Sequence, residues 1–87
     1  MQYYVYLLFS DFDKGWYIGY SSNLKRRLLE HNAGKVYSTK NRRPVKLIYY
    51  ECFLNKIDAK AREEYLKSGY GRLQLKNILK NTILYLE

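Results

Sequence analysis

The run Gly15-Trp16-Tyr17-Ile18-Gly19-Tyr20-Ser21-Ser22-Asn23-Leu24-Lys25-Arg26-Arg27-Leu28-Leu29-Glu30-His31-Asn32 constrains the fold more than any other stretch. Trp16-Tyr17-Ile18 is aromatic and β-branched and is closed by Gly19, the pattern of a short strand. Ser22 then reads as an N-cap ahead of a leucine pattern, which predicts a helix over Ser22 to Asn32 with Gly34 as its stop signal. Positions i, i+3, i+4 and i+7 of a helix share one face. Counted from Leu24, these are Leu24, Arg27, Leu28 and His31. Half of the stripe that should seek the core is therefore cationic or titratable, and burying such groups is costly unless they are paired or used. A guanidinium and an imidazole one turn apart suit phosphate oxygens, and the imidazole can assist proton transfer near neutral pH. The spacing suits equally an Arg held by a tyrosine hydroxyl or a carboxylate, beside a satisfied, semi-buried His.

The rest of the chain supplies what this strand and helix must pack against. Gln2 to Phe9 is nearly continuous in β-formers and predicts a strand. Its alternation places Tyr4, Tyr6 and Leu8 on one face and Tyr3, Val5 and Leu7 on the other. The turn-rich Ser10 to Gly15 makes Trp16 to Gly19 its hairpin partner. Lys35 to Lys46 reads as a loop, Val45 to Glu51 as a third strand, and Asn55 as the N-cap of a helix that runs to Lys67 with Asp58 in its first turn. Ser68-Gly69 and Gly71 punctuate the chain before a third helix over Arg72 to Asn81. The apolar tail Thr82 to Leu86 either closes that helix or adds a strand. No linker, repeat or low-complexity tract interrupts residues 1–87, which read as one α+β domain in the order β-β-α-β-α-α.

Charge narrows the partner. Sixteen Lys and Arg against 8 Asp and Glu leave a net charge of +8, which favours a polyanion, with nucleic acid ahead of an anionic membrane. The 11 tyrosines add rings on which bases can stack. The loop from Lys35 to Lys46 carries Lys35, Lys40, Arg42 and Arg43 with Tyr37 interleaved and no acidic residue, so it is the natural surface for a nucleic-acid backbone. Cys52 is the only cysteine, which excludes an internal disulfide and a thiol zinc cluster. It reads as a small buried filler in a reducing cytoplasm. The N-terminus lacks the basic segment of a signal peptide, and no apolar run approaches the ~18 residues that span a bilayer. The expectation is a soluble cytoplasmic protein with no membrane partner.

Few acidic residues are candidates for chemistry. Glu30 falls off the Arg27–His31 face and should be solvated, and Glu51 ends a strand. Glu63 shares a stripe with Ala59 and Leu66, while Glu64 lies beside Ile57 and Ala61; spacing does not choose between them. One carboxylate facing a basic, tyrosine-lined pocket can hold Mg²⁺, which keeps several waters; the alternative is a salt bridge to Lys60, Arg62 or Lys67. No pair of carboxylates has metal-ligand spacing, which disfavours a two-metal site. The glycines form no phosphate-cradling fingerprint.

Together these residues resemble the GIY-YIG nuclease superfamily, in particular its small stand-alone bacterial members related to the nuclease domain of the bacterial excinuclease. Tyr4-Val5-Tyr6 is similar to the first motif and Tyr17-Ile18-Gly19 to the second. Arg27 and His31-Asn32 match the first helix, and Ser38 to Pro44, Arg62-Glu63 and Tyr65 to Gly71 match the small-protein subgroup. The departure is Tyr4 where the family has Gly. The resemblance implies a three-stranded antiparallel sheet flanked by helices, with a metal-dependent phosphodiesterase site. It implies Tyr6, Tyr17, Arg27 and Glu63 as catalytic residues, Glu63 as the ligand of Mg²⁺ or Mn²⁺, and Asn77 as a polar residue near the site, while His31, on the Arg27 stripe, is expected to join them as a helper in proton transfer. The resulting expectation is a DNA endonuclease, with repair or recombination as its setting and DNA favoured over RNA. A second expectation is a DNA- or RNA-binding module without turnover. A third is a domain whose specificity comes from a homodimer or a protein partner.

Overall fold

A computed structural model of the chain describes residues 1–86. Three strands, β1 (Tyr3–Ser10), β2 (Trp16–Ser21) and β3 (Val45–Phe53), form an antiparallel sheet in the order β2-β1-β3. Four helices surround it: α1 (Leu24–Asn32), α2 (Lys56–Lys67), α3 (Gly69–Ile78) and α4 (Lys80–Leu86). Central β1 is buried on both faces, which is why its sequence is almost continuously apolar and aromatic. Val5 and Leu7 pack with Ile18 against Ala59, Leu66, Leu75 and Leu79 of the α2–α3 layer. Tyr6 and Leu8 face the other way, with Val45, Tyr17, Leu24, Leu28 and Leu47. The predicted alternation along β1 therefore divides the two cores. Opposite β1, the register of β3 slips between Tyr49 and Leu47, so that Ile48 is an extra residue in the edge strand.

Several boundaries differ from the sequence expectation. The N-cap of α1 is Asn23 rather than Ser22: its side chain accepts from Arg26 N at 3.1 Å, while Ser21 Oγ, at the end of β2, accepts from Asn23 N at 2.9 Å. Asn55 caps α2 as expected, accepting from Ile57 N at 2.8 Å. Ser68 and Gly71 do not delay the next helix. Ser68 Oγ donates to Tyr65 O at 2.6 Å and accepts from Gly71 N at 3.2 Å, ending α2 and starting α3 within a single residue. Gly71 is a packing glycine rather than a breaker. A Cβ there would lie 2.6 Å from Leu66 Cα and would strike the Tyr65 carbonyl. Leu79 leaves helical geometry with φ −109° and ψ 18°, so the tail forms a separate helix instead of a strand or a continuation. Cys52 is exposed, not a core filler, because it lies near the end of an edge strand opposite Tyr4. No helix among the described residues is long and apolar enough to cross a membrane.

Gly71→Ala should therefore destabilise the fold by about 2 kcal/mol, since backbone rather than a movable side chain blocks the new methyl. Thermal denaturation should show a fall in melting temperature on the order of 10 °C.

Candidate active site

Tyr6 on β1 and Gly19 on β2 are cross-strand partners, and the Tyr6 ring lies across Gly19. A Cβ at position 19 would stand 2.5 Å from Tyr6 Cζ and 3.0 Å from Tyr17 Cε1. The glycine thus lets a large phenol reach over its neighbouring strand. The Tyr6 hydroxyl meets His31 Nε2 at 2.7 Å, and His31 Nδ1 meets Thr39 Oγ1 at 2.7 Å. All three side chains are buried, with Tyr6 2% exposed and His31 and Thr39 0%. Tyr17 completes the cluster, its ring edge-on to His31 at 5.1 Å and tilted to Tyr6 at 6.4 Å between centroids.

The proton positions follow from the donor inventory. Burial pushes the His31 imidazole down to about 4, the Arg27 cation pushes in the same direction, and Glu30 only partly offsets them. His31 is therefore neutral at pH 7, with one donor nitrogen and one acceptor. Burial pushes the Tyr6 phenol up to about 12. The neighbouring Arg27 favours the phenolate and restrains that rise, while the charges of Tyr17 and Glu63 add to it. A Tyr6 hydrogen donated to His31 Nε2 places the imidazole hydrogen on Nδ1, where it donates to Thr39. Tyr6 keeps a lone pair for a further donor.

Arg27 is half-buried and also donates from Nη1 to Glu30 Oε1 at 3.2 Å. Glu30 is thus a partner of the Arg27–His31 face rather than a solvated bystander. Glu63 lies on α2, which packs on the far face of the sheet, and its charge adds to the rise of the Tyr6 phenol. Its carboxylate is 12% exposed and is gripped by two ammonium groups, Lys60 Nζ at 3.3 Å from Oε1 and Lys67 Nζ at 3.2 Å from Oε2. Glu64, the alternative left open by spacing, is exposed. The preceding residue, Arg62, forks onto Glu51 at 2.8 and 3.0 Å, and the Tyr49 hydroxyl donates to the same carboxylate at 2.6 Å. Burial alone would raise the Glu51 carboxyl, but these bonds hold it below its ordinary range. The fork ties α2 to β3 and so sets the turn of helix on which Glu63 sits.

The donor set fits the implied cation. Among the described residues no group of three or more His, Cys, Asp and Glu could enclose a metal ion, and both nitrogens of His31 are engaged. What remains is one hard carboxylate at a place already favourable for positive charge, as the two ammonium groups demonstrate. That suits Mg²⁺ or Mn²⁺ with a largely aqueous shell and disfavours softer metals.

The basic loop is placed differently from the expectation. Buried Thr39 anchors its middle to His31, leaving Tyr37, Ser38 and Lys40 outside. Lys40 Nζ lies 5.0 Å over the Tyr37 ring, and Lys35 is exposed. Acidic compensation, absent from the loop's own sequence, arrives from the β1–β2 turn. Arg42 Nε donates to Asp13 Oδ2 at 2.6 Å and Lys46 lies 3.4 Å from Asp11. The Arg42 bond holds the Asp13 carboxyl down at about 2. Arg42 also donates to Trp16 O at 3.2 Å, and its own carbonyl accepts from Ser10 Oγ at 2.6 Å, so it is a structural clamp. Arg43 donates to Lys40 O at 2.8 Å. Asn77 is exposed on α3. Thr39 and Ser10, whose Oγ also accepts from Phe12 N at 3.1 Å and Asp13 N at 3.0 Å, carry no charge to single them out along the chain; the only signal for Thr39 is its place in the Ser38 to Pro44 segment of the family pattern.

The GIY-YIG catalytic domain family matches residues 2–77 of the chain. A UPF0213 protein of Pediococcus acidilactici is 38% identical over 85 residues, covering 94% of this chain and 86% of that protein. A UPF0213 protein of Staphylococcus haemolyticus is 41% identical over 78 residues, covering 88% and 94%. The solution NMR structure of the UPF0213 protein of Bacillus halodurans matches this fold with a TM-score of 0.57 at 33% identity, covering 90% of this chain and 85% of that one.

His31 is the one histidine of the chain, so its titration is separable. Unfolded, it takes up a proton near pH 6.5; folded, not until about 4. The unfolded state binds more protons in that window, and stability falls as the pH drops through it. Denaturant unfolding at pH 7 and pH 5 should differ by about 2 kcal/mol, and His31→Asn should flatten that difference.

Proposed function

This chain belongs to the GIY-YIG catalytic-domain family, and we propose that it is a divalent-metal-dependent endonuclease that hydrolyses phosphodiester bonds in DNA. The observation that carries the reading is the packing of Tyr6, Tyr17 and His31 against one another, with Arg27 one turn from His31 on α1 and the part-buried Glu63 carboxylate on α2. Tyr6 is held by His31 with one lone pair free, so it can accept a hydrogen from the attacking water. Because burial and Arg27 hold His31 neutral, the Tyr6–His31 pair orients the water rather than storing its proton, which passes to solvent, and Thr39 keeps the imidazole in register through Nδ1. The hydroxide oxygen bonds to phosphorus, the ester P–O bond breaks, and the leaving oxygen takes a proton from solvent. Arg27 holds a non-bridging phosphate oxygen and offsets the charge that builds there. Tyr17 packs against the imidazole edge and fixes the ring that Tyr6 depends on. Glu63 would hold Mg²⁺ or Mn²⁺, which supplies Lewis-acid stabilisation of phosphate charge. Repair or recombination suits an enzyme of this kind, and the exposed Lys35, Tyr37, Lys40 and Arg43, with Asn77 on α3, are candidate contacts to the strand.

A second reading has its own observation in favour: Lys60 and Lys67 already neutralise both oxygens of Glu63. A module that binds nucleic acid without turnover would need no more than this cationic surface. Labelled single-stranded, duplex and branched DNA incubated with purified protein and Mg²⁺ or Mn²⁺ separates the two. The nuclease reading expects cleavage that falls at least about 100-fold in Glu63→Ala and in Tyr6→Phe, with the fold intact by circular dichroism. Wild-type cleavage that survives Glu63→Ala would remove the metal assignment. Salt-dependent binding with no product under either metal would favour the binding module.

A further inference from the structure

Beside Tyr17 a groove of about 370 Å³ opens between Trp16, Tyr17 and Ile18 of β2, Ser38 of the loop, Lys67 at the end of α2 and Arg72 on α3. It is continuous with the candidate site at two points. Tyr17 packs on His31 at its inner end, and Lys67, which lines the groove, also holds Glu63 Oε2 at 3.2 Å. No acidic residue lines it. Arg72 is exposed and pairs with no carboxylate among the described residues, so its charge is uncompensated. Two cations and a hydroxyl beside the rings of Trp16 and Tyr17 are what a phosphodiester and its attached sugar or base require.

We propose that this groove is a second phosphate subsite, which receives the phosphodiester next to the scissile one in a single-stranded segment of nucleic acid. Arg72 is its fixed anchor, and Lys67 exchanges between Glu63 and the bound phosphate. This rests on the nuclease reading given above. A divalent cation at Glu63 must compete with the two ammonium groups that hold its oxygens. Lys67, once displaced, has a flexible stem and an adjacent groove that it already lines. Occupation of Glu63 by a cation therefore strengthens the grip on the strand, and by linkage the strand strengthens the hold on the cation.

The test is fluorescence anisotropy of a labelled ten-nucleotide single strand, as DNA and as RNA of the same sequence, with the full chain in EDTA and in Ca²⁺, probe length being checked on a gel. Arg72→Gln should weaken binding about fivefold in both conditions and reduce the slope of log affinity against log salt by about 0.7, with Arg72→Lys restoring the slope. Lys67→Gln should weaken binding in Ca²⁺ but match wild type in EDTA, where Glu63 still occupies the ammonium. Both side chains are exposed, and unchanged thermal melting of the variants verifies their folding. Binding of either strand with this pattern supports the subsite, and the tighter of the two names the strand it takes. Wild-type binding that neither substitution changes, in affinity or salt slope, overturns the subsite and leaves the nuclease reading standing. Absence of wild-type binding to DNA and RNA in both conditions overturns the subsite together with that reading.

Discussion

The buried hydrogen-bonded chain from Tyr6 through His31 to Thr39 ties together three segments of the fold. It joins the central strand, the first helix and the middle of the long loop. Each link is short and buried, so removing any one member leaves its neighbour as a buried, unsatisfied group, at a cost of about 1–3 kcal/mol. The chain also has geometric consequences. Seating His31 on the Tyr6 hydroxyl sets the rotation of α1 about its axis, and that rotation keeps Arg27, one turn earlier, on the same face. Holding Thr39 turns the neighbouring Tyr37, Ser38 and Lys40 outward. Two buried hydrogen bonds thus orient both the inner residues of the site and the loop that surrounds it.

Around this neutral centre the charges are balanced locally but not overall. Glu63 is held by Lys60 and Lys67, Arg27 by Glu30, Arg62 by Glu51 and Arg42 by Asp13. The fork between Arg62 and Glu51 lies under α2 and gives the helix a fixed seat. The lysines at Glu63 are half-exposed and sit on flexible stems. The rigid pairs therefore position the site, while the exchangeable ones lie where an anion or a cation would arrive. Surface pairs of the latter kind contribute little to stability. Their location accounts for how a strongly basic chain can keep a carboxylate at its centre.

Much of this arrangement is legible along the chain. Alternation in β1 divides the two cores, Asn55 marks its cap, and the stripe of Leu24, Arg27, Leu28 and His31 announces a polar group facing inward. The misplacements have physical causes. Ser22 and Asn23 are both good caps, and only the end of β2 chooses between them. Gly69 and Gly71 resemble breakers in a linear reading, whereas Gly71 is small because two helices meet there. Cys52 resembles a filler because burial at the end of an edge strand depends on what covers it. Arg42 looks free along the chain because its carboxylate lies 29 residues earlier.

Local pattern specified the elements, the inward polar stripe and the excess of positive charge, since these depend on periodicity and composition that neighbouring residues carry among themselves. Packing between distant segments selected the partners: Thr39 for His31, Glu51 for Arg62, Asp13 for Arg42, and the groove that Arg72 shares with Tyr17. Hydrogen bonds and ion pairs act over a few ångströms in space. Where such a pair joins two separate segments, no spacing rule along the chain can name its members until the sheet and the helices have brought them together.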